Sequence, residues 1–403
     1  MVRINADLSE RILIMESHHG HSQHVSDGLE RLVQDINTLA RGGKSGLSHV
    51  VCGSSELAGF SQERVEYCGV DVADLVDGVP FEAVVWLLLT GELPGDEQLA
   101  DAAAVMEESA VVEQSACEAL SGLPLRTRPL ELLPLAISML SYFDPMPIDR
   151  NPAATRSRVW RILAQLPILL ACGLGDESPQ DSADTFVASR STLAGAILQL
   201  VRGQDAARSQ SSIHSSLEED AMNVVLTCQC LTELRPACFA ARFFGSTVSD
   251  VAPSVRSAAS LYVAQMRNDP YEWIGSHLRS FHSPDHAEAW LAGRNDQLLP
   301  FGFTVEETDP RSSILLHTAR QLLGSKDRIH IAACAQRLET LMDRRDRYPT
   351  MDWSASVVLT LLDVKPERMS LAIALARTVG WAAQAIDQNA SGVTLMPQLH
   401  YAL

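Results

Sequence analysis

The stretch Pro80-Phe81-Glu82-Ala83-Val84-Val85-Trp86-Leu87-Leu88-Leu89-Thr90-Gly91-Glu92-Leu93-Pro94 decides the fold class of this 403-residue chain. Proline is well suited to a helix start, and the run from Phe81 to Leu89 contains neither glycine nor a second proline. Gly91 and Pro94 then end the helix. The run is apolar on nearly all sides, so the segment predicts a helix that lies within a protein core.

The same apolar spacing and end signals recur along the chain. They predict further helices over residues 26–41, 96–109, 112–121, 129–142, 152–172, 185–203, 216–232, 237–246, 251–267, 283–291, 310–322, 327–342, 352–362 and 367–388. Residues 46–70 instead contain short β-branched pieces broken by glycine, which predict a small hairpin-like segment. The predicted fold class is mainly α, with a small β-hairpin segment near the N-terminus.

Composition and charge exclude several classes of function. The net charge of −18 argues against binding to nucleic acid or to anionic membrane surfaces, both of which require clustered lysine and arginine. No apolar stretch is expected to reach the length of a membrane span, and residues 162–174, which come closest, fall well short. The first residues, Met1 to Glu16, are too acidic for a signal peptide, and the eight scattered cysteines predict reduced thiols in a cytoplasmic protein. Histidines 18, 19, 21 and 24 could bind a metal ion or belong to a solvated tail.

Seven motifs in the same order resemble the citrate synthase family over residues 46–403. They begin at Tyr67-Cys68-Gly69-Val70, Phe81-Glu82-Ala83-Val84 and the "LLLTGELP" run, and continue with Phe239-Ala240-Ala241-Arg242, Asp309-Pro310-Arg311, Met351-Asp352-Trp353 and Ala376-Arg377-Thr378-Val379-Gly380. The resemblance implies an all-helical homodimer that condenses an acyl-CoA with oxaloacetate, with acyl-CoA as a co-substrate and no further cofactor. It also implies a large domain, here 46–247 with 353–403, and a small domain, 248–352, after an N-terminal extension, 1–45, that contains one helix.

Two residues match catalytic positions of the family. Asp352 matches the base that removes a proton from the acyl group, and Arg311 matches an arginine that holds a substrate carboxylate. Each has a simpler interpretation as well. Asp352 could serve as a helix N-cap before Trp353, and Arg311 could be a surface arginine in the first turn of a helix.

Three histidines that the family uses have no match. Their positions fall at Thr232, at Met266 (or Arg267 if the register slips by one) and at Gly302. Threonine, methionine and glycine cannot change charge near neutral pH, as histidine does. If Gly302-Phe303 is instead aligned with the Gly-Phe pair of the family, the third histidine position falls at Thr304 or Val305. Neither residue can replace histidine.

Other family features are also altered. The two glycines that the family has in its second histidine turn are replaced by larger polar residues. Glu306 and Glu307 stand where the family has basic residues near the CoA phosphates. Gln398 stands where the family has a second substrate arginine. Histidines 277, 282, 286 and 317 could compensate, although an amphipathic surface placement explains them more simply. Cysteines 228, 230 and 238 have poor spacing for zinc and are interpreted as buried thiols, so no metal site is predicted.

Two functions are consistent with these observations. The first is a divergent citrate synthase-like protein that is catalytically impaired or altered, for example a binding or regulatory subunit that forms a homodimer or a heteromer with an active paralogue. The alternative is an active acyl-CoA-dependent condensing acyltransferase, of citrate or methylcitrate synthase type, with an altered substrate.

Overall fold

The computed structural model describes residues 51–124, 128–144, 151–176, 192–203, 216–248, 250–292, 302–305, 309–324 and 326–397. The chain divides into two compact units, Met1–Ser54 and Ser55–Leu403. In the first unit only residues 51–54 are described, and they have no regular secondary structure. The helix predicted at 26–41 and the N-terminal histidines lie outside the described residues.

The second unit is mainly helical, which confirms the predicted fold class. Its helices are α1 (Val72–Leu75), α2 (Phe81–Thr90), α3 (Asp96–Ser109), α4 (Gln114–Ser121), α5 (Leu132–Tyr142), α6 (Pro152–Gly173), α7 (Leu193–Arg202), α8 (Ser216–Gln229), α9 (Pro236–Val248), α10 (Val251–Gln265), α11 (Pro270–Ser280), α12 (Pro284–Ala292), α13 (Pro310–Gln321), α14 (Lys326–Asp343), α15 (Met351–Leu361) and α16 (Pro366–Ala390). Short 3-10 turns cover Pro129–Glu131 and Met266–Asn268.

The predicted hairpin is a three-stranded antiparallel sheet of β1 (Ala58–Phe60), β2 (Val65–Tyr67) and β3 (Val70–Asp71). Cys68 and Gly69, both with positive φ, form the two-residue turn between β2 and β3, as a tight hairpin requires. Two further strands pair antiparallel far along the chain, β4 (Phe303–Thr304) with β5 (Tyr348–Pro349). No sequence pattern predicts this second pair, because a strand of two residues is too short to show alternation.

Helix α16 forms the centre of the core. It packs against α2, α7, α8, α9, α10 and α11, and most of its side chains are buried. It is also long and apolar enough to cross a membrane, so the prediction that no stretch reaches that length is wrong. Its most apolar window is 89% buried inside the protein, as the core helix of a globular protein would be.

Two glycines allow backbones to approach closely around this core. A Cβ on Gly380 would lie 2.1 Å from the carbonyl oxygen of Cys230, and one on Gly245 would lie 2.5 Å from that of Ala385. Gly380 therefore lets α16 contact the segment after α8, and Gly245 lets it contact α9. The first of these contacts fixes one wall of the cleft described below.

Most helix ends agree with the predictions within a few residues, but α11 was missed. Its start signals are present, because Asp269 accepts hydrogen bonds from the backbone of Tyr271 and Glu272, and Pro270 occupies the first turn. Its apolar spacing is present as well, because the buried residues Tyr271, Ile274 and Leu278 recur at three and four residues. The omission matters because α11 supplies a residue of the candidate site.

Candidate functional site

A cleft of about 710 Å³ brings together residues from distant parts of the chain. Four of the positions singled out in the sequence line it: Thr232, Met266, Arg311 and Asp352. Their elements are the segment after α8, the turn after α10, and the first turns of α13 and α15. The lining also includes Phe60, Val65, Tyr262, Tyr271, Thr304, Met351, Arg377 and Trp381.

Asp352 lies in the first turn of α15, half-buried at the cleft wall. The helix is capped by Thr350, whose side chain accepts a hydrogen bond from the backbone of Trp353. The interpretation of Asp352 as the N-cap is therefore wrong. Its Oδ1 instead accepts a hydrogen bond of 2.5 Å from the hydroxyl of Tyr271.

Tyr271 links Asp352 to an arginine that we did not single out in the sequence. Nη2 of Arg377 donates to the Tyr271 hydroxyl at 3.2 Å and to Oε1 of Gln229 at 3.2 Å. Burial, and then the negative charge of Asp352, raise the pKa of Tyr271 well above its ordinary value. At neutral pH the phenol therefore keeps its proton and can act as a hydrogen-bond donor.

Arg377 has hydrogen-bonding capacity to spare. The guanidinium lies over the ring of Tyr262, 5.0 Å from its centroid, which stabilises the cation. Its Nε is buried and has no hydrogen-bond partner among the residues that the structure describes. A buried donor without a partner is costly.

Arg311 has a different environment. Its side chain is only 3% exposed, and Nε and Nη2 bind the carboxylate of Asp309 at 3.0 and 2.6 Å. Nη1 donates to the carbonyls of Cys228 and Leu231 at 3.1 and 2.8 Å and lies 3.3 Å from the hydroxyl of Tyr67. The interpretation of Arg311 as a surface arginine is wrong, since this guanidinium joins α13 to the end of α8 and to β2.

The turn between α10 and α11 is held by a third arginine. Nη2 of Arg128 donates to the carbonyl of Met266 at 3.1 Å and lies 3.7 Å from the carboxylate of Asp269. Burial raises the pKa of Asp269 despite these contacts. Arg128 and Asp269 together fix the turn that places Met266 and Tyr271 in the cleft.

Comparison with known proteins identifies the family. The sequence model "Citrate synthase, C-terminal domain" matches residues 46–398. The chain belongs to the citrate synthase family. A citrate synthase of Deinococcus radiodurans is 24% identical over 351 residues, 85% of this chain and 90% of that protein. The 2-methylcitrate synthase 1 of Corynebacterium glutamicum is 23% identical over 371 residues, 89% of this chain and 94% of that protein.

Solved structures show the same fold. A citrate synthase of Thermoplasma acidophilum, in a ternary complex with carboxymethyl coenzyme A and oxaloacetate, has a TM-score of 0.72 at 18% identity and covers 89% of this chain and 95% of that one. The citrate synthase of Pyrobaculum aerophilum has a TM-score of 0.71 at 18% identity and covers 88% of this chain and 91% of that one. At these identities the likeness concerns the fold.

The positions where the citrate synthase resemblance expects histidines can now be located. Thr232 is buried at the cleft wall, and its hydroxyl contacts the backbone of Glu233 and the thiol of Cys238. Met266 lines the cleft, whereas Arg267 is exposed and is not part of the lining.

The candidates for the third position differ in their relation to the cleft. Thr304 lines the cleft, whereas a Cβ on Gly302 would meet the ring of Trp353 at 2.8 Å. Val305 is 63% exposed and lies outside the lining. Glu306 and Glu307, the predicted acidic loop, and Gln398 lie outside the described residues.

The four histidines that could have compensated are not part of the cleft. His277 packs between Trp273 and Trp290, with ring centroids 4.1 and 5.1 Å away. His282 and His286 stack on each other at the surface, and the ring of His317 contacts Gln321. The described lining of the cleft contains no imidazole.

Cys228, Cys230 and Cys238 are buried free thiols, as predicted. Burial raises the pKa of Cys228 and of Cys230 to about 12, so these thiols stay protonated. Within the described parts of the chain, histidine, cysteine and carboxylate side chains form no group that could hold a metal ion.

Proposed function

We propose that the cleft binds a small carboxylate-bearing ligand, and that ordinary condensation of an acyl-CoA with oxaloacetate is impaired or altered in this protein. The observation that carries the proposal is the replacement of imidazoles by Thr232 and Met266 in a cleft that keeps Asp352. Enolisation of a thioester needs a donor opposite the base, and neither a methionine nor this threonine supplies a charged donor.

Steady-state assays test this proposal. Acetyl-CoA and propionyl-CoA are each mixed with oxaloacetate, release of free CoA thiol is followed, and an active citrate synthase serves as the positive control. We expect turnover at least about a hundredfold below the control, because one missing acid–base group costs roughly that factor. Turnover within tenfold of the control would contradict the proposal.

The alternative is an active condensing acyltransferase with an altered substrate. It is favoured by the contact of Tyr271 with both Asp352 and Arg377, because a protonated phenol next to a carboxylate can serve as an acid beside a base. Turnover with another pair of acyl-CoA and 2-oxo acid, lost in both Asp352→Asn and Tyr271→Phe, would support it. Turnover that survives in the Asp352→Asn variant would contradict this alternative.

We also propose that the protein forms a homodimer. A heteromer with an active paralogue is a second proposed assembly. Apolar side chains on neighbouring helices support a partner surface. Tyr142 on α5 is 81% exposed, Leu261 on α10 is 37% exposed, and Phe243 and Phe244 on α9 are half-buried. α10 packs against both α5 and α9, so these side chains belong to adjoining helices.

Light scattering of the purified chain tests the assembly. We expect a mass of two chains, and a shift towards monomer in Tyr142→Glu with Phe244→Glu. A wild-type mass of one chain would contradict the homodimer, and purification with an active paralogue would support the heteromer. The proposal places the protein in the cytoplasm, in keeping with the eight scattered cysteines.

A further inference from the structure

Two buried cysteines lie against each other between α4 and α6. The Sγ atoms of Cys117 and Cys172 are 2.8 Å apart, although the residues stand 55 positions apart in the chain. Their side chains are 2% and 0% exposed. The two sulfur atoms are closer than non-bonded sulfur atoms usually approach, whereas a disulfide bond measures about 2.05 Å. A small movement of the side chains would therefore bring the two thiols to bonding distance.

The packing of the two helices holds the thiols together. Cys172 lies in the last turn of α6, which ends at Gly173. A Cβ on Gly173 would lie 3.4 Å from the Cβ of Leu120, which follows Cys117 by one turn on α4. The missing side chain of Gly173 thus lets α4 approach α6 closely beside the sulfur atoms. The meeting of the thiols is supported by this second contact one turn away.

Helix α4 is a short element with one face open to solvent. It packs mainly against α6 and α5 through Ala116, Cys117 and Leu120. Its exposed residues are Gln114, Ser115, Glu118, Ala119 and Ser121. Elements with few buried contacts open locally at a lower cost in free energy than the core does. Such an opening of α4 gives a small solute access to the thiol of Cys117 while the core helix α16 stays folded.

The pair takes no part in the candidate site, since neither thiol lines the cleft. Any role that it has is therefore separate from the proposed function, and it does not depend on that function. Disulfides in cytoplasmic proteins are commonly transient and serve to sense oxidants. We propose that Cys117 and Cys172 are a redox pair, in which a hydroperoxide converts the two thiols into a disulfide that ties α4 to α6.

Hydrogen peroxide is the oxidant that balances this reaction. The thiolate sulfur of Cys117 attacks one peroxide oxygen, the O–O bond breaks, water leaves, and Cys117 becomes a sulfenic acid. When α4 closes, the sulfur of Cys172 attacks the sulfenic sulfur, the S–O bond breaks, and a second water leaves as the S–S bond forms. The two thiols lose two electrons and two protons, which reduce one hydrogen peroxide to two waters.

A peptide map of the full chain tests the disulfide. The protein is treated with hydrogen peroxide, the remaining thiols are alkylated, and the chain is cleaved after glutamate without reductant. Cleavage at Glu113 and Glu118 separates Cys117 from the other cysteines. We expect the main linked peptide to join Cys117 to Cys172 and to disappear after dithiothreitol. Absence of this link, or equal amounts of links between other cysteines, overturns the inference.

Hydrogen exchange tests whether the disulfide ties α4 to α6. We expect the amides of residues 114–121 to exchange at least about tenfold more slowly in the oxidised chain than in the reduced chain, because the new bond opposes local opening. The amides of α16 should exchange at the same rate in both states. Equal exchange of α4 in the oxidised and reduced chains overturns the inference.

Cys117→Ala and Cys334→Ala form a matched pair of variants, because each removes one buried thiol and Cys334 lies on α14. We expect Cys117→Ala to lose both the linked peptide and the slower exchange, and Cys334→Ala to keep both. The peptide map and the exchange of the wild type decide the inference even where a variant does not fold. Slower exchange of α4 that persists after oxidation of Cys117→Ala overturns the inference.

Discussion

The N-cap of α15 could not be predicted from the local sequence, because Thr350 and Asp352 are both suitable for it. Both are good N-cap residues and stand two positions apart, so the local sequence could not decide which one caps α15. The structure assigns the cap to Thr350 and leaves the carboxylate of Asp352 to Tyr271. The carboxylate of Asp352 therefore has a partner in the cleft that lies 81 residues away along the chain, which no local pattern could predict.

Replacement of Thr350 tests the cap at this scale. We expect Thr350→Ala to lower the free energy of unfolding by about 1 kcal/mol, because the side-chain acceptor for the backbone of Trp353 is lost. Thr350→Ser keeps the acceptor and should remain close to the wild type. Urea unfolding measures both variants, and equal losses in the two would show that packing rather than capping is responsible.

Glu82 is a half-buried carboxylate that joins α2 to the start of α7, where its Oε1 accepts a hydrogen bond from the backbone of Leu193 at 2.6 Å. Burial raises the pKa of Glu82 above its ordinary value, although that hydrogen bond opposes the shift. The folded state therefore holds the proton more tightly than the unfolded state. The contribution of protonated Glu82 to the free energy of unfolding is complete below the unfolded pKa of 4.5. It is lost as the pH rises through the pKa of Glu82 in the folded state.

Glu82→Gln should remove this pH dependence. We expect its melting temperature, relative to the wild type, to increase between pH 4.5 and pH 7, since glutamine keeps an acceptor for Leu193 and has no charge to bury. Glu92→Gln, at an exposed position, is the matched control and should show no such trend. A difference between Glu82→Gln and the wild type that is constant with pH would contradict the interpretation.

At the scale of elements, the sequence predicted helices well where end signals flank an apolar run. α2 is an example, because Gly91 adopts a left-handed conformation and its N–H caps the carbonyl of Leu87. Helix α11 was missed although its start signals and its apolar spacing are both present. The close contact between α16 and the segment after α8 could not be predicted either, because the sequence does not show which two backbones come together in the fold.

Gly380→Ala tests that contact between elements. A Cβ would lie 2.1 Å from a backbone oxygen, which cannot move away as a flexible side chain could. We expect a loss of about 3 kcal/mol or more in the free energy of unfolding, at the upper end of overpacking effects. Gly324→Ala, where no atom lies within 4 Å of the added Cβ, is the control. Similar urea midpoints for the two variants would contradict the prediction.

At the scale of the whole molecule, seven ordered motifs were enough to predict the family and the mainly α fold, because they are spread over the entire core. The division into a large domain and a small domain at 248–352 stays a prediction. The cleft was predicted in part: Asp352, Thr232 and Met266 were expected to meet and do line it. The pairing of Arg311 with Asp309 was not predicted, since side-chain partners across a cleft are set by tertiary packing.

The position of Arg311 also determines how a search for activity in this protein should be designed. In a relative, replacing the matching arginine would seem a direct way to switch off catalysis. Here the same replacement would cut the link between α13, the end of α8 and β2, so an inactive variant would report a damaged scaffold and say nothing about chemistry. Tyr271→Phe, which deletes one oxygen atom and leaves the ring in place, is the informative first substitution.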